Sequence, residues 1–186
     1  MLNLTKKYIR STKGSVLVEF ALIVPVMVLL FVGIFELSNY ILLNNKLVRA
    51  AGVIGDMITR QNMTRSLLVN NLKTANDVLK PFDFNKYGSI VSTQVQNIGM
   101  TTDPTKMIIS WQQNYNGGIS LLGAIGNIPK NLPGDVSVIK DQTIIVTEIF
   151  YQYKPLVFES FFPTKTLYRA SVFVPRSGSM NVLIGE

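Results

Sequence analysis

Apolar residues in this chain are concentrated in one run near its N-terminus. Between Val16 and Phe35 the only charged residue is Glu19. A helix needs about 20 mainly apolar residues to cross the hydrocarbon core of a bilayer. The run has this length, so the pattern predicts one membrane-spanning helix.

Helical spacing continues after the run and extends to about Arg60. The apolar positions that recur on this spacing are Leu37, Ile41, Val48, Ala51, Ile54 and Ile58. We therefore expect one long helix, embedded in the membrane at first and amphipathic later. Small residues between Ala50 and Gly55 favour the close approach of another helix. A second helix is expected after Thr64, a suitable N-cap, and Pro81 is expected to end it.

From Ser89 the apolar period changes to two, which predicts β-strands. The predicted strands are Ile90–Gln96, Lys106–Asn114, Gln142–Tyr153 and Thr166–Val174. Both faces of the third strand are apolar, so we expect it in the centre of the sheet. Short connections favour an antiparallel sheet with one face packed on helix, which makes the fold class α+β. The Gly/Pro-rich stretch 117–134 lacks the ending of a P-loop, and we expect either a short packed helix or a partner-contacting loop there.

The net charge of +7 does not by itself indicate nucleic-acid binding. Four of the 18 basic residues precede the apolar run, and the other 14 stand against 11 acidic residues. These 14 are scattered, whereas phosphate binding requires a clustered patch or stripe. The chain also has no Cys and no His, which excludes disulfides and thiolate or imidazole metal sites. We expect no nucleic-acid partner and no cofactor.

Charges around the run predict its orientation. The basic residues that precede it are Lys6, Lys7, Arg10 and Lys13. This excess predicts a cytoplasmic N-terminus and an exported C-terminal part. Lys46 and Arg49 weaken the asymmetry, and acidic Glu36 and Asp56 partly offset them. A removed secretory signal would need small residues at positions −3 and −1 of a cleavage site soon after the apolar core, and Glu36-Leu37-Ser38-Asn39-Tyr40 offers no such site. We expect Glu36 to extend into solvent at the far interface.

A glycine and a glutamate mark the start of the apolar run. Gly14 follows the basic Lys13, and Glu19 comes five residues after the glycine. This arrangement resembles the signal of type IV prepilins, in which cleavage follows the glycine and glutamate becomes the fifth mature residue. The resemblance makes Ser15 the first mature residue. Better-known pilins favour Phe or Met at that position, so Ser15 is a small departure.

The chemistry of Glu19 supports this interpretation independently. An ionised carboxylate in an apolar helix costs about 2.5–3.5 kcal/mol on insertion scales and usually finds a partner. Cleavage after Gly14 creates an α-amino cation with a pKa near 8, one turn away. Our hypothesis is that Glu19 pairs with the Ser15 amine of a neighbouring subunit and fixes subunit register. The alternative is a side chain that snorkels to the headgroups. Pro25 is expected to kink or loosen the helix.

The stretch from Gly14 to Glu36 resembles one family in particular. Its segments Val18-Glu19-Phe20-Ala21-Leu22-Ile23-Val24-Pro25 and Gly33-Ile34-Phe35-Glu36 are similar to the TadE/TadG-like proteins of bacterial tight-adherence (Flp) pilus systems. The segments 147–156 and 168–176 are similar to the late strands of that family. The middle of the chain is unmatched.

The resemblance implies a minor pilin or pseudopilin that serves assembly of a Tad/Flp pilus. It implies cleavage between Gly14 and Ser15 by a prepilin peptidase, with Glu19, Phe20 and Pro25 acting in assembly and register. The implied division is a leader over 1–14, a transmembrane and stem helix over 15–60, and a pilin-like extracytoplasmic α+β domain over 61–186. The implied location is the bacterial inner membrane in a single pass. The implied partners are other pilin subunits, the assembly platform and the peptidase.

Two further functions remain open at this point. The first is a membrane-tethered binding module or adhesin whose helix is a simple anchor. The second is a tethered hydrolase, for which Asp135, Asp141 and Glu148 are the candidates, although no motif supports it. We expect no enzyme. Trp111, Tyr115 and Phe150 could line a binding groove, but core packing is the favoured interpretation.

Overall fold

The computed structural model describes residues 12–99, 106–134, 136, 138–157 and 163–176, with the backbone alone for 12–15. Its helices are α1 (Thr12–Thr59), α2 (Arg65–Lys73), α3 (Ala75–Leu79) and α4 (Phe84–Tyr87). Its strands are β1 (Gly88–Asn97), β2 (Met107–Tyr115), β3 (Thr143–Tyr153) and β4 (Lys165–Phe173). These elements confirm the α+β prediction, with one long N-terminal helix before a small sheet.

The four strands form one antiparallel sheet in the order β2-β1-β3-β4. Each predicted strand is present within a few residues of its expected bounds. The third strand is central, as its two apolar faces predicted. Ile145, Ile149 and Tyr151 lie in the core on one face, and Ile144 and Val146 lie in a second core on the other.

The C-terminal half of α1 forms the main core with the sheet. The helix residues that are buried there are Leu43, Leu47, Ala50, Ala51, Ile54 and Ile58. Half of the predicted apolar stripe is therefore wrong, because Leu37, Ile41 and Val48 are exposed. Apolar residues surround more than one side of this helix, so periodicity did not single out the side that faces the sheet.

A glycine allows α1 to approach the sheet edge closely. A Cβ on Gly55 would lie 2.7 Å from the Phe173 ring and 2.9 Å from the Ser171 hydroxyl. Ser171 in turn donates a hydrogen bond of 2.7 Å to the Ala51 carbonyl oxygen. The close approach at Ala51 and Gly55 is therefore made by β4. Gly52 has open space beside it.

The second predicted helix is divided into two. Thr64 is its N-cap, as predicted, and its hydroxyl accepts a hydrogen bond from the Leu67 amide. The helix breaks at Thr74 into α2 and α3, and α3 ends at Leu79 before Pro81. The short α4 was not predicted. Asp83 caps it by accepting from the Lys86 amide at 3.1 Å.

The outer face of the sheet is covered by irregular chain. Stretch 117–134 contains no helix among its described residues, so the short-helix alternative is wrong, and contact of this loop with a partner stays a prediction. Leu122 from this loop and Val138 are fully buried against Val95, Ile109 and Ile144. Both faces of the sheet are thereby shielded, one by helices and one by a loop.

Strand β3 runs antiparallel to α1, so one end of the strand lies close to the apolar run and the other end lies far from it. Near the C-terminal end of α1, Arg176 donates its amide to the Thr59 carbonyl oxygen at 2.9 Å. Near its middle, the Tyr153 hydroxyl donates to the Glu36 carboxylate at 2.6 Å. The end of β3 at Tyr153 therefore lies closest to the apolar run, and the end at Thr143 lies farthest from it.

Gln94 offers a test of the core. Its amide is fully buried, and neither polar atom has a partner in the described part of the chain. A buried unsatisfied polar group costs about 1–3 kcal/mol, so Gln94→Met should raise the free energy of unfolding by a similar amount. Chemical denaturation in detergent micelles measures it. The matched control is Gln152→Met at an exposed position, which should have little effect. A lower stability for Gln94→Met would contradict the prediction.

Candidate functional site

The predicted cleavage site lies in the first turn of a helix. Lys13, Gly14 and Ser15 are helical in backbone, because α1 begins at Thr12. The predicted leader residues Lys6, Lys7 and Arg10 lie outside the described residues. Cleavage after Gly14 and the positive-inside role of the leader stay predictions.

The most apolar part of α1 is not buried by the rest of the described chain. Its most apolar window has a mean hydropathy of 2.7, and none of that window is buried. Leu17, Leu22 and Leu29 are between 61% and 73% exposed. An apolar surface of this kind and length is compatible with a single-pass membrane protein, in which lipid covers these side chains.

Glu19 lies on this uncovered helix, and its side chain is exposed. The adjacent Phe20 is 65% exposed. Ser15 and Glu19 are separated by about 6 Å along the helix axis, given a rise of 1.5 Å per residue. The structure thus leaves the Glu19 side chain accessible to a second molecule.

Pro25 lies within α1, which continues through it as one helix from Thr12 to Thr59. Proline has no backbone N–H, so the Ala21 carbonyl oxygen loses its helical donor at this point. The predicted kink itself stays a prediction.

Glu36 forms a polar cluster at the end of the apolar run. Its carboxylate accepts from the Tyr153 hydroxyl at 2.6 Å, the Leu156 amide at 2.8 Å and the Val157 amide at 3.3 Å. We call these four residues the Glu36 cluster. The expectation of a Glu36 side chain that extends into solvent is wrong, because donors from a loop distant in sequence reach its carboxylate. Sequence periodicity carries no signal for such a contact.

The Glu36 cluster ties the β3–β4 connection to α1. Hydrogen bonds to a charged acceptor are about twice as strong as neutral ones. Tyr40, one turn further along α1, packs edge-on against Tyr153 with ring centroids 5.3 Å apart. Burial, followed by the Glu36 carboxylate, raises the pKa of Tyr153 well above its usual value. The Tyr153 hydroxyl therefore stays protonated and remains a donor at physiological pH.

Further exposed apolar side chains lie on α1 beyond the apolar run. Ile41, Leu42, Val48 and Val53 are between 39% and 52% exposed. They face away from the sheet, since the opposite side of the helix forms the main core. They do not form one continuous patch, because the exposed polar residues Asn45 and Arg49 lie between them on the helix.

The acidic residues considered for hydrolysis differ in their surroundings. Glu148 is fully buried and accepts hydrogen bonds from the Ser120 hydroxyl, the Leu121 amide and the Tyr168 hydroxyl. Burial, followed by the Glu148 carboxylate, raises the pKa of Tyr168. Asp141 is exposed in a turn, 4.0 Å from Lys140, and Asp135 lies outside the described residues. The contacts of Glu148 attach the outer loop to the sheet.

The aromatic residues considered for a groove do not line one together. Trp111 is buried in the main core, which confirms the packing interpretation. Tyr115 packs against that core and donates its hydroxyl to Asn85 at 2.7 Å. Phe150 is partly exposed and contacts the Tyr168 ring, with centroids 5.2 Å apart.

Comparison with known proteins agrees with the apolar helix and its glycine. Residues 14–53 match the family model described as TadE-like protein. The match confirms the resemblance for this part of the chain, and it indicates a Tad pilus-associated protein with an N-terminal membrane helix. No curated protein matches the chain. No solved structure matches it either.

The Glu36 cluster can be tested by amide exchange. Hydrogen bonds to a charged group contribute about 1.5–3 kcal/mol each. Glu36→Ala should therefore accelerate deuterium exchange at the Leu156 and Val157 amides by about tenfold to a hundredfold. Asp77→Ala is the matched control, because it removes an exposed ion pair with Lys80. Unchanged exchange in Glu36→Ala would show that the cluster does not hold the loop.

Proposed function

We propose that this chain is a minor pilin or pseudopilin that acts in assembly of a Tad/Flp-type pilus. The observation that carries the proposal is Glu19, an exposed acidic residue within an apolar helix, five residues after Gly14 in a segment that matches TadE-like proteins. A simple anchor has no need of a carboxylate within its apolar run, since a charged residue opposes insertion, by about 2.5–3.5 kcal/mol at the centre of a helix and by less near its ends.

A freed α-amine is a suitable partner for that carboxylate. The described residues place no cation beside Glu19, which leaves it open to a partner that cleavage, another subunit or the headgroups would supply. We infer that a prepilin peptidase cuts after Gly14 and that the Ser15 amine of one subunit meets Glu19 of the next. An ion pair in a low-dielectric surrounding is costly when one partner is missing, which makes it a good determinant of register.

Exposed apolar side chains of α1 beyond the apolar run support contact with further subunits. These residues are Ile41, Leu42, Val48 and Val53. Helices of adjacent pilins can cover these side chains in an assembly. The partners that we propose are other pilin subunits, the assembly platform and the peptidase.

The proposed role is structural and not catalytic. The hydrogen bonds of Glu148 are made to a loop and to a neighbouring strand, which supports a stabilising role. The proposed location is the bacterial inner membrane, with the N-terminus inside and the α+β part outside. The basic residues before the span support this orientation.

Processing gives the first test. Expression of the full chain with a prepilin peptidase should yield a mature protein that begins at Ser15, detected by N-terminal sequencing and by intact mass. Gly14→Val should block the mass change because a side chain replaces the hydrogen in front of the scissile bond. A variant at the exposed Ser38 is the matched control and should be cleaved normally. An intact Met1 start in the presence of active peptidase would contradict the proposal.

Assembly gives the second test. Glu19→Gln keeps the size of the side chain and removes its charge, so the variant should insert and be cleaved but form few or no pili. Glu19→Asp keeps the charge, and this variant should still assemble some pili. The measurements are pili per cell and mature protein crosslinked to other subunits. Normal assembly of cleaved Glu19→Gln would contradict the register hypothesis.

A further inference from the structure

The level of Glu36 relative to the bilayer follows from the length of the apolar run. Val16 to Phe35 extends over about 30 Å at 1.5 Å per residue, which equals the thickness of a typical hydrocarbon core. Glu36 therefore lies where α1 leaves the hydrocarbon and enters the headgroup region.

The Glu36 cluster brings part of the β3–β4 connection to the same level. The Leu156 and Val157 amides lie within 3.3 Å of the carboxylate, so their backbone cannot be far above the headgroups. Their side chains are 65% and 54% exposed. Two aliphatic side chains are thus held beside the membrane, with no cover from the described chain.

An apolar groove lies between this loop and α1. Gly33 and Leu37 form one wall, Pro155 and Pro163 form the other, and the volume is about 600 Å³. The groove is continuous with the uncovered helix surface of the apolar run. Lys165 lies at its margin, and a lysine near the surface is attracted by anionic lipid headgroups.

We propose that this junction surface, formed by Gly33, Leu37, Pro155, Leu156, Val157 and Lys165, is a lipid-contacting surface of the domain. Leu156 and Val157 enter the boundary between headgroups and acyl chains, and an acyl segment of a neighbouring phospholipid occupies the groove. Lys165 contacts lipid phosphate. The occupant is lipid because the surface continues the membrane-spanning surface of α1 at the level of the interface.

The contact has a consequence for the domain as a whole. A helix that crosses a membrane can rotate and tilt, but a second contact with the bilayer restricts both motions. The Glu36 cluster and the two aliphatic side chains together would hold the sheet in one orientation above the membrane. The inference rests on membrane insertion of α1 and is independent of cleavage and pilus assembly.

Site-directed fluorescence is a direct test, because the chain has no native Cys. Single variants Leu156→Cys and Val157→Cys carry an NBD label in the full chain, reconstituted in liposomes of phosphatidylethanolamine and phosphatidylglycerol. Ile139→Cys is the matched control. Ile139 is 57% exposed, and it precedes the far end of β3, about 33 Å along the strand from Tyr153 at 3.3 Å per residue.

The expected result is a blue-shifted emission at positions 156 and 157, a loss of emission with lipids that carry a doxyl group near the headgroup, and weak quenching by aqueous iodide. The label at 139 should show no blue shift, little doxyl quenching and strong quenching by iodide.

Glu36→Ala in the Leu156→Cys background should reduce the doxyl quenching, whereas Asp77→Ala should not. Replacing phosphatidylglycerol with phosphatidylcholine should weaken doxyl quenching at 156, and Lys165→Gln should remove this lipid dependence.

Two results would overturn the inference. One is iodide quenching at 156 and 157 equal to that at 139, in protein that floats with the liposomes. The other is protection from iodide without doxyl quenching, which would mean that protein and not lipid covers the surface. Protein that fails to float would instead show that α1 does not insert, and the membrane part of the proposed function would fail with it.

Discussion

The structure depends on one continuous helix, α1, which is the candidate membrane span in its first half and part of the domain core in its second half. The first half of α1 exposes apolar side chains on all sides, as expected of a membrane span, while its second half buries one side against the sheet. No break separates the two halves in the described chain. The domain core therefore includes residues of the same helix that carries the candidate membrane span, from Leu43 to Ile58. A domain without this helix segment would expose the face of the sheet that carries Ile145 and Ile149.

Two glutamates on this helix illustrate how position determines the role of a charge. Glu19 lies near the N-terminal end of the apolar run with no cation beside it in the described chain, and in lipid its charge would be costly without a partner. Glu36 lies at the other end, and its carboxylate is satisfied by a hydroxyl and two amides of the same chain. Glu19 is available to a second molecule, whereas the hydrogen bonds of Glu36 stabilise the fold of its own chain.

Much of the fold was predictable because local patterns determine it. The period of two located all four strands, and the two apolar faces of β3 identified it as central. The Thr64 cap located the start of α2. The buried side of α1 was not predictable, because Ile41 and Val48 are as apolar as Leu43 and Leu47.

The Glu36 cluster was missed for a related reason. Its members are separated by about 120 positions in sequence, and no local pattern records which backbone amides will reach a carboxylate.

Continuity of α1 also constrains how the domain can respond to neighbouring subunits. A force on the apolar run that displaces the helix along its axis must displace the sheet with it, because Ala51, Gly55 and Thr59 contact the β4 end of the domain directly. The Glu36 cluster adds a second connection at the membrane end of the same helix. With attachments at both ends, the domain is not free to swing about a flexible linker. An ion pair at Glu19 would then fix the depth of the helix and also the height of the sheet above the membrane. Register within the bilayer would thereby determine which outer surfaces of adjacent domains meet.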